Sequence, residues 1–161
     1  GPQQDLGVKV SNGLAFAEDG TSLFQSDTPN HVIYRFQFDA ASGQVGERQV
    51  FARLPVKGEE AVYGGRPDGA ALDAEGCYWS TQYEGGRVLR FSPQGEIIGI
   101  VRVPVTRPTM VAFGGADLRT LYITSAREGA GDDELARQPQ AGGLFAVRPD
   151  VAGRAEPLYR D

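Results

Sequence analysis

An all-β fold made of three similar units of four strands is predicted for this chain of 161 residues by three observations. Apolar residues alternate with polar ones at a period of two in short runs, which is the pattern of strands and not of helices. Turn-forming residues separate these runs throughout the chain, which contains 22 Gly and 10 Pro. The same order of runs and turns recurs three times, as is typical of a repeat architecture.

The first unit begins with a strand, a tight turn and a second strand. Asp19-Gly20 lies between the first two runs. Glycine at that point supplies the positive φ that a tight hairpin requires. We therefore expect four strands at 13–16 (GLAF), 22–27 (SLFQSD), 31–38 (HVIYRFQF) and 48–54 (RQVFARL).

The second unit repeats this arrangement with its own turn residues. Glu75-Gly76 separates its first two runs, and Pro93-Gln94-Gly95 separates the last two. Both turns carry glycine where a positive φ is useful. Its four strands are expected at 69–72 (GAAL), 77–82 (CYWSTQ), 87–92 (RVLRFS) and 96–103 (EIIGIVRV).

The third unit contains the one stretch that breaks the rhythm, at 127–141. We interpret it as a surface insertion in which DDELARQ forms a helical turn or two, starting near Asp132 or Asp133 and ending before Pro139. The strands of this unit are expected at 110–113 (MVAF), 120–126 (TLYITSA), 142–149 (GGLFAVRP) and 155–161 (AEPLYRD).

Three four-stranded units that recur at roughly 40 to 56 residues, without helices between them, indicate the blades of a β-propeller. One partial propeller domain is expected over 1–161, with blades at about 11–54, 66–104 and 107–161. Propellers have about four to eight blades, so three leave the ring open. The chain should therefore be equivalent to half of a six-bladed propeller. A complementary half lying before Gly1, or a second copy in a homodimer, would close the ring.

Composition and charge exclude several classes of function. Lys and Arg number 16 against 21 Asp and Glu, and the net charge of -5 is opposite in sign to a nucleic-acid-binding surface. One Cys and one His provide neither an internal disulfide nor a Cys/His zinc site. No apolar stretch approaches about 18 residues, so no membrane span is expected. The compartment stays open, since few cysteines permit the cytoplasm without requiring it.

The entrance to each predicted first strand carries a polar residue, namely Asn12, Asp68 and Thr109. First strands line the central channel of a propeller, so these side chains should meet at one mouth of that channel. Oxygen donors of this kind suit a hard divalent cation such as Ca²⁺ or Mg²⁺. The alternative is that Asn-Gly and Asp-Gly are turn dipeptides without a ligand role.

Three stretches carry a family resemblance. They are SNGLAFAEDGTSLFQSDTPNHVIYRFQFD at 11–39, GRPDGAALDAEGCYWSTQYEGGRVLRFSPQGE at 65–96, and RPTMVAFGGADLRTLYITSAREG at 107–129, the last followed by AGGLFAVRP at 141–149. In this order they resemble the senescence marker protein/gluconolactonase (regucalcin-like) family, in its C-terminal half. The resemblance implies a six-bladed propeller with one divalent metal ion, calcium first and Zn, Mn or Mg as alternatives. It also implies hydrolysis of sugar lactones or related esters.

The resemblance assigns roles to two residues. The Asn of SNG, Asn12, corresponds to a metal ligand, and the Asp of PDG, Asp68, corresponds to a metal ligand and general base. The family takes a further metal-binding Glu and substrate-binding residues from its N-terminal half, which has no counterpart here. The implied reaction does not depend on histidine, which agrees with the presence of a single histidine in the sequence. A dication polarises the lactone carbonyl and acidifies water, and a carboxylate accepts the proton, so no Ser-His pair is needed.

A second class of function remains open at this point, a non-catalytic propeller that serves as a binding platform or metal-binding protein. Other side chains are assigned mainly structural roles. His31 is expected at the surface, and Cys77 is expected to be a packed apolar side chain and not a nucleophile. Arg66 and Arg107 precede prolines near the predicted mouth, where they could steer an anionic substrate or pair with carboxylates.

Overall fold

The computed structural model describes residues 6–60 and 62–155, and its first sheet confirms the first predicted unit. Four antiparallel strands pair in chain order. A short 3-10 turn over Thr28–Asn30 joins the second strand to the third. The strands are β1 (Ser11–Phe16), β2 (Ser22–Asp27), β3 (Val32–Asp39) and β4 (Gln44–Arg53).

The second sheet has the same topology, with four antiparallel strands in chain order. The turn after its first strand contains Gly76 at φ 75, as the predicted hairpin requires. Its strands are β5 (Arg66–Leu72), β6 (Tyr78–Tyr83), β7 (Arg87–Phe91) and β8 (Ile97–Arg102).

The third sheet contains three strands within the described residues, β9 (Pro108–Gly114), β10 (Thr120–Ser125) and β11 (Leu144–Val147). The predicted helical turn in the insertion is present as α1 (Asp132–Arg137), which begins with three acidic residues in its first turn. Those charges suit the positive end of a helix dipole. The fourth strand predicted at 155–161 lies outside the described residues except for Ala155.

The three sheets pack face to face through two apolar cores. Tyr78 and Trp79 are neighbours on β6, and successive side chains of a strand point to opposite faces. Tyr78 therefore packs with Phe24 and Ile33 of the first sheet, whereas Trp79 packs with Val111 and other residues of the third. A sheet that buries both faces needs apolar residues at consecutive positions, which explains the aromatic pair in CYWSTQ.

The first strands of the three sheets, β1, β5 and β9, lie side by side and line one groove of about 870 Å³. Its walls include the small side chains Ala15, Ala70 and Ala112, one from each strand. Small residues here allow three inner strands to converge. Within the described residues, no helix is long and apolar enough to cross a membrane.

Candidate functional site

A break in strand pairing lies at the start of each inner strand. The register shifts between Asn12 and Ala15 in β1, between Pro67 and Ala70 in β5, and beside Thr109 in β9, where Met110 and Pro108 oppose successive residues of β10. A bulge of this kind leaves residues unpaired and re-aims their side chains. The three polar residues thus occupy corresponding places in the sheets. Asn12-Gly13 and Asp68-Gly69 both lie within strands and not in turns.

A chain of hydrogen bonds connects the surroundings of Asn12 and Asp68. The Asn12 amide nitrogen donates to Thr28 Oγ1 at 2.9 Å, and that hydroxyl donates to the Pro67 carbonyl at 2.7 Å. Ser26 Oγ donates to the Asp68 carbonyl at 3.1 Å. Because its amide nitrogen is engaged by Thr28, Asn12 keeps its amide oxygen for another partner. The structure therefore brings the backbones of the two predicted ligands onto adjacent strands.

Gly13 makes this close approach of β1 and β5 feasible. Its φ is +56, and its carbonyl accepts a hydrogen bond from the Tyr78 hydroxyl at 2.6 Å. A Cβ at this position would collide with the Tyr78 hydroxyl and would lie only 2.9 Å from the Asp68 carbonyl oxygen. Glycine is thus required by both conformation and space.

Thr109 serves to connect the third inner strand to the second. Its hydroxyl shares a hydrogen bond of 2.8 Å with the Thr124 hydroxyl. Thr81 Oγ1 lies 3.0 Å from both the Gly69 and Thr109 carbonyl oxygens, so one hydroxyl bridges β5 and β9. The hydroxyl and the carbonyl oxygen of Thr109 therefore both take part in hydrogen bonds within the protein.

Asp68 has the most unusual electrostatic environment near the mouth. Burial raises the pKa of its carboxyl to about 6, while the positive charge of Arg66 acts in the opposite direction. Within the described part of the chain, no group donates a hydrogen bond to this carboxylate. A desolvated carboxylate with so little compensation is suited to holding a cation or to exchanging a proton near neutral pH.

The two arginines near the mouth behave differently. Arg107 donates to Glu134 of α1 at 2.6 Å and to the Gly129 carbonyl at 3.0 Å. This ion pair fixes the insertion and lowers the pKa of Glu134. Arg66 lies 3.7 Å from Glu84 and above the Tyr83 ring, 5.3 Å from its centroid. Of the two roles expected for Arg107, the structure therefore favours pairing with a carboxylate over steering of a substrate.

The surface position expected for His31 is wrong. The residue is 5% exposed and adopts a left-handed conformation at φ 53, directly after the 3-10 turn. Its ring lies 5.9 Å from that of Tyr63, between centroids, and burial lowers its pKa. A polar residue beside a proline-containing turn carries no apolar pattern, so the sequence offers no signal for this burial.

Asp73, Glu75 and Cys77 form a second cluster, with one potential ligand atom each within 4.8 Å of one another. Asp73 Oδ1 accepts the backbone N–H groups of Glu75 and Cys77. Its Oδ2 accepts from Trp79 Nε1 and Arg90 Nε, both at 2.8 Å. With both oxygens engaged, Asp73 closes the β5–β6 turn and is poorly suited to a metal. Burial raises the pKa of Cys77, in agreement with the packed thiol predicted from the sequence.

Three antiparallel sheets that pack face to face, with their first strands side by side, are the blades of a β-propeller. The chain belongs to the SMP-30/gluconolactonase/LRE-like family, whose model matches residues 2–127. It is 55% identical over 152 residues to a 6-deoxy-6-sulfogluconolactonase of Pseudomonas putida, covering 94% of this chain and 50% of that protein. It is 38% identical over 141 residues to regucalcin of Gallus gallus, covering 87% and 45%.

A solved structure supports the same assignment. The calcium-binding protein regucalcin of Agrobacterium tumefaciens superimposes with a TM-score of 0.84 at 35% identity, covering 95% of this chain and 50% of that one. The propeller class and the family predicted from the sequence are thereby confirmed. The chain spans about half the length of the curated relatives it matches.

Proposed function

We propose that this chain contributes metal-binding and proton-accepting groups to a divalent-metal-dependent hydrolase of sugar lactones or related esters. The observation that carries the proposal is Asp68, a half-buried carboxylate whose pKa is raised to about 6. Asn12 stands on the adjacent inner strand, connected to the Asp68 segment through Thr28. These two observations support a site formed by adjacent inner strands.

The names of relatives support the substrate class. Besides the sulfogluconolactonase, a pentonolactonase of Haloferax volcanii is 34% identical over 160 residues, covering 97% of this chain and 52% of that protein. Five- and six-carbon sugar lactones share a cyclic ester that opens to a hydroxy acid. We extend that shared chemistry to this chain as its substrate class.

The residues present fit a hard divalent cation. An amide oxygen from Asn12 and carboxylate oxygens from Asp68 are the donors that calcium prefers. A cation would also offset the desolvation of Asp68, which within the described residues has only Arg66 as a named compensating charge. Calcium is proposed first because the Agrobacterium neighbour is described as calcium-binding. A bound dication supplies Lewis-acid polarisation of a carbonyl and acidifies water.

In this mechanism Asp68 acts as the general base. Without a cation its pKa is about 6, and a bound dication would lower that pKa and keep the carboxylate ionised at neutral pH, ready to accept a proton. Asp68 takes a proton from the attacking water as the new bond to the lactone carbonyl carbon forms. It returns that proton to the ring oxygen as the acyl–oxygen bond breaks, and the product is the open hydroxy acid. Thr28 would orient the Asn12 amide by accepting a hydrogen bond from its nitrogen, which leaves the amide oxygen for the cation.

Neighbouring blades are proposed to complete the site. We propose that residues 1–161 belong to one propeller domain with blades at about 11–54, 66–104 and 107–161. Blades from a complementary half, or from a second copy, would supply the remaining ligands. The outer face of the third sheet supports this, because it exposes Tyr122 and Leu144 while the opposite face is packed. An apolar sheet face of this kind suits a further blade.

The test is hydrolysis of sugar lactones by the purified protein with added Ca²⁺ or Mn²⁺, before and after chelation. Asp68→Asn should lower kcat by about a hundredfold or more, because the isosteric amide cannot accept the proton. Asp150→Asn, at an exposed position, is the matched control and should leave kcat unchanged. Full activity in Asp68→Asn would contradict the role of Asp68 as general base. Metal binding without hydrolysis in the wild type would favour a non-catalytic binding platform instead.

A further inference from the structure

Arg66 differs from the other half-buried arginines of the described residues. Its Nε is buried without a hydrogen-bond partner, as is the Nε of Arg154, but Arg154 donates through another nitrogen whereas the Arg66 guanidinium makes no hydrogen bond to any described residue. A guanidinium has five N–H donors, so this is a large unused capacity. The other half-buried arginines donate to backbone carbonyls or carboxylates; they are Arg87, Arg90, Arg107 and Arg154.

The contacts that Arg66 does make orient it without filling its donors. Its guanidinium stacks over Tyr83, the residue opposite it on β6. Such stacking holds the planar group in one orientation. Glu84 lies 3.7 Å away, near the outer limit of an ion pair, compared with 2.6 Å between Arg107 and Glu134. About a third of the Arg66 side chain, 34%, remains exposed. Pairing with Glu84 therefore does not account for Arg66.

Arg66 lies two residues before Asp68 on β5, and both side chains are half-buried. Pairing with β6 is regular at Arg66, whereas Asp68 lies in the bulge that follows Pro67. Two steps along an extended strand span about 7 Å, so the two residues lie within the length of one hexose. The charge of Arg66 also reaches Asp68, because it lowers the pKa of that carboxyl against the effect of burial. A hexose that presents its lactone carbonyl to Asp68 could thus place its far end near Arg66.

We propose that Arg66 is a specificity-determining residue that binds an anionic substituent, such as a sulfonate or phosphate, at the end of the sugar remote from the lactone. This inference rests on the proposed lactonase function and names the substrate class of that same site. Planar N–H donors match an oxyanion in two parallel hydrogen bonds. Glu84 would act as a weak internal competitor for the guanidinium.

The experiment compares gluconolactone with its derivatives carrying a sulfonate or a phosphate at C6, in the purified protein. Arg66→Gln should lower the ratio of kcat/KM for the anionic lactones to kcat/KM for gluconolactone by about tenfold or more. The loss should appear in KM for the anionic lactones, because this interaction is made equally in the ground and transition states. Arg66→Lys should retain part of the preference, and Glu84→Gln should increase it. The better of the two anionic lactones identifies the substituent.

Arg102→Gln is the matched control, since it removes the same charge from an exposed position on β8 of the same sheet. It should leave the ratio unchanged. An unchanged ratio in Arg66→Gln, or an equal fall in Arg102→Gln, would overturn the inference while leaving lactonase activity in place.

Calorimetric binding of 6-deoxy-6-sulfoglucose, compared with binding of glucose, tests Arg66 separately from hydrolysis. If no lactone is hydrolysed, the proposed function fails, and the inference is still decided by whether Arg66→Gln abolishes the sulfonate-dependent binding.

Discussion

At the scale of single residues, Asp68 carries an electrostatic cost in the folded protein. Burial disfavours its ionised form, and no described residue donates a hydrogen bond to its carboxylate. A structural carboxylate in this protein looks different, as Asp73 does with four donors around its two oxygens. Groups held in an unfavourable state in the folded protein commonly belong to functional sites. Asp68 thus separates from the other buried carboxylates on physical grounds.

This cost predicts that Asp68→Asn stabilises the metal-free protein in a pH-dependent way. The folded pKa, about 6, lies above the ordinary value of 3.8, so folding favours the protonated form. Stability from that protonation is fully present below about pH 4 and is lost as the pH rises through 6. Above pH 6 the variant should be more stable than the wild type by about 1 kcal/mol, less than the full shift because solvent screens a half-buried group. Thermal unfolding in chelator at pH 4 and pH 8 measures this. A difference that does not grow with pH would contradict it, and Asp150→Asn should show no difference.

At the scale of elements, the bulges position the site. Each inner strand loses regular pairing beside Asn12, Asp68 or Thr109, while the rest of the strand stays in register. Regular pairing sets the core, and the irregular step takes one polar residue of each inner strand out of the regular pairing. Side-chain hydroxyls of Thr28 and Thr81 then bridge each inner strand to the next.

Gly13→Ala tests the close approach of β1 and β5. The alanine would have to adopt the left-handed conformation of Gly13, at φ +56. Its Cβ would collide with the Tyr78 hydroxyl and would lie 2.8 Å from Ser26 Oγ and 2.9 Å from the Asp68 carbonyl oxygen. We expect a loss of about 2–4 kcal/mol in the free energy of unfolding, measured by chemical denaturation. Gly43→Ala is the control, because Gly43 has a similar φ of +71 but nothing within 4 Å of its Cβ position. It should cost about 1 kcal/mol. Equal losses in both variants would show that the contact contributes nothing.

The sequence predicts the elements better than it predicts the site. Period two and turn glycines locate the strands of the first two sheets, because both signals are local. The hydrogen bond from Thr28 to Pro67 joins residues 39 positions apart, and no local pattern announces it. The burial of His31 and the desolvation of Asp68 likewise depend on neighbouring elements. The resemblance identifies Asn12 and Asp68 as candidates, but their roles as ligands remain predictions.

At the scale of the whole molecule, the third sheet at one end of the stack differs from the middle sheet. The middle sheet buries Tyr78 on one face and Trp79 on the other. The third sheet buries Val111, Leu121 and Ile123 on its inner face only. Its other face exposes Tyr122 at 38% and Leu144 at 65%. The pattern of residues on β9–β11 is therefore that of a sheet with a neighbour on both sides.

This face predicts that the isolated chain of 161 residues associates with a complementary half or with itself. Each Å² of apolar surface buried contributes roughly 25 cal/mol, so an interface of standard size can outweigh the cost of association. Sedimentation should therefore give a mass above the 17.3 kDa of the monomer. Leu144→Lys should shift the chain toward monomer, because a charge would be buried between sheets. Ile98→Lys is the control, since Ile98 is comparably exposed at 51% but stands on the outer strand β8, away from that face. A monomer with full lactonase activity would contradict both the association and the proposal that further blades complete the site.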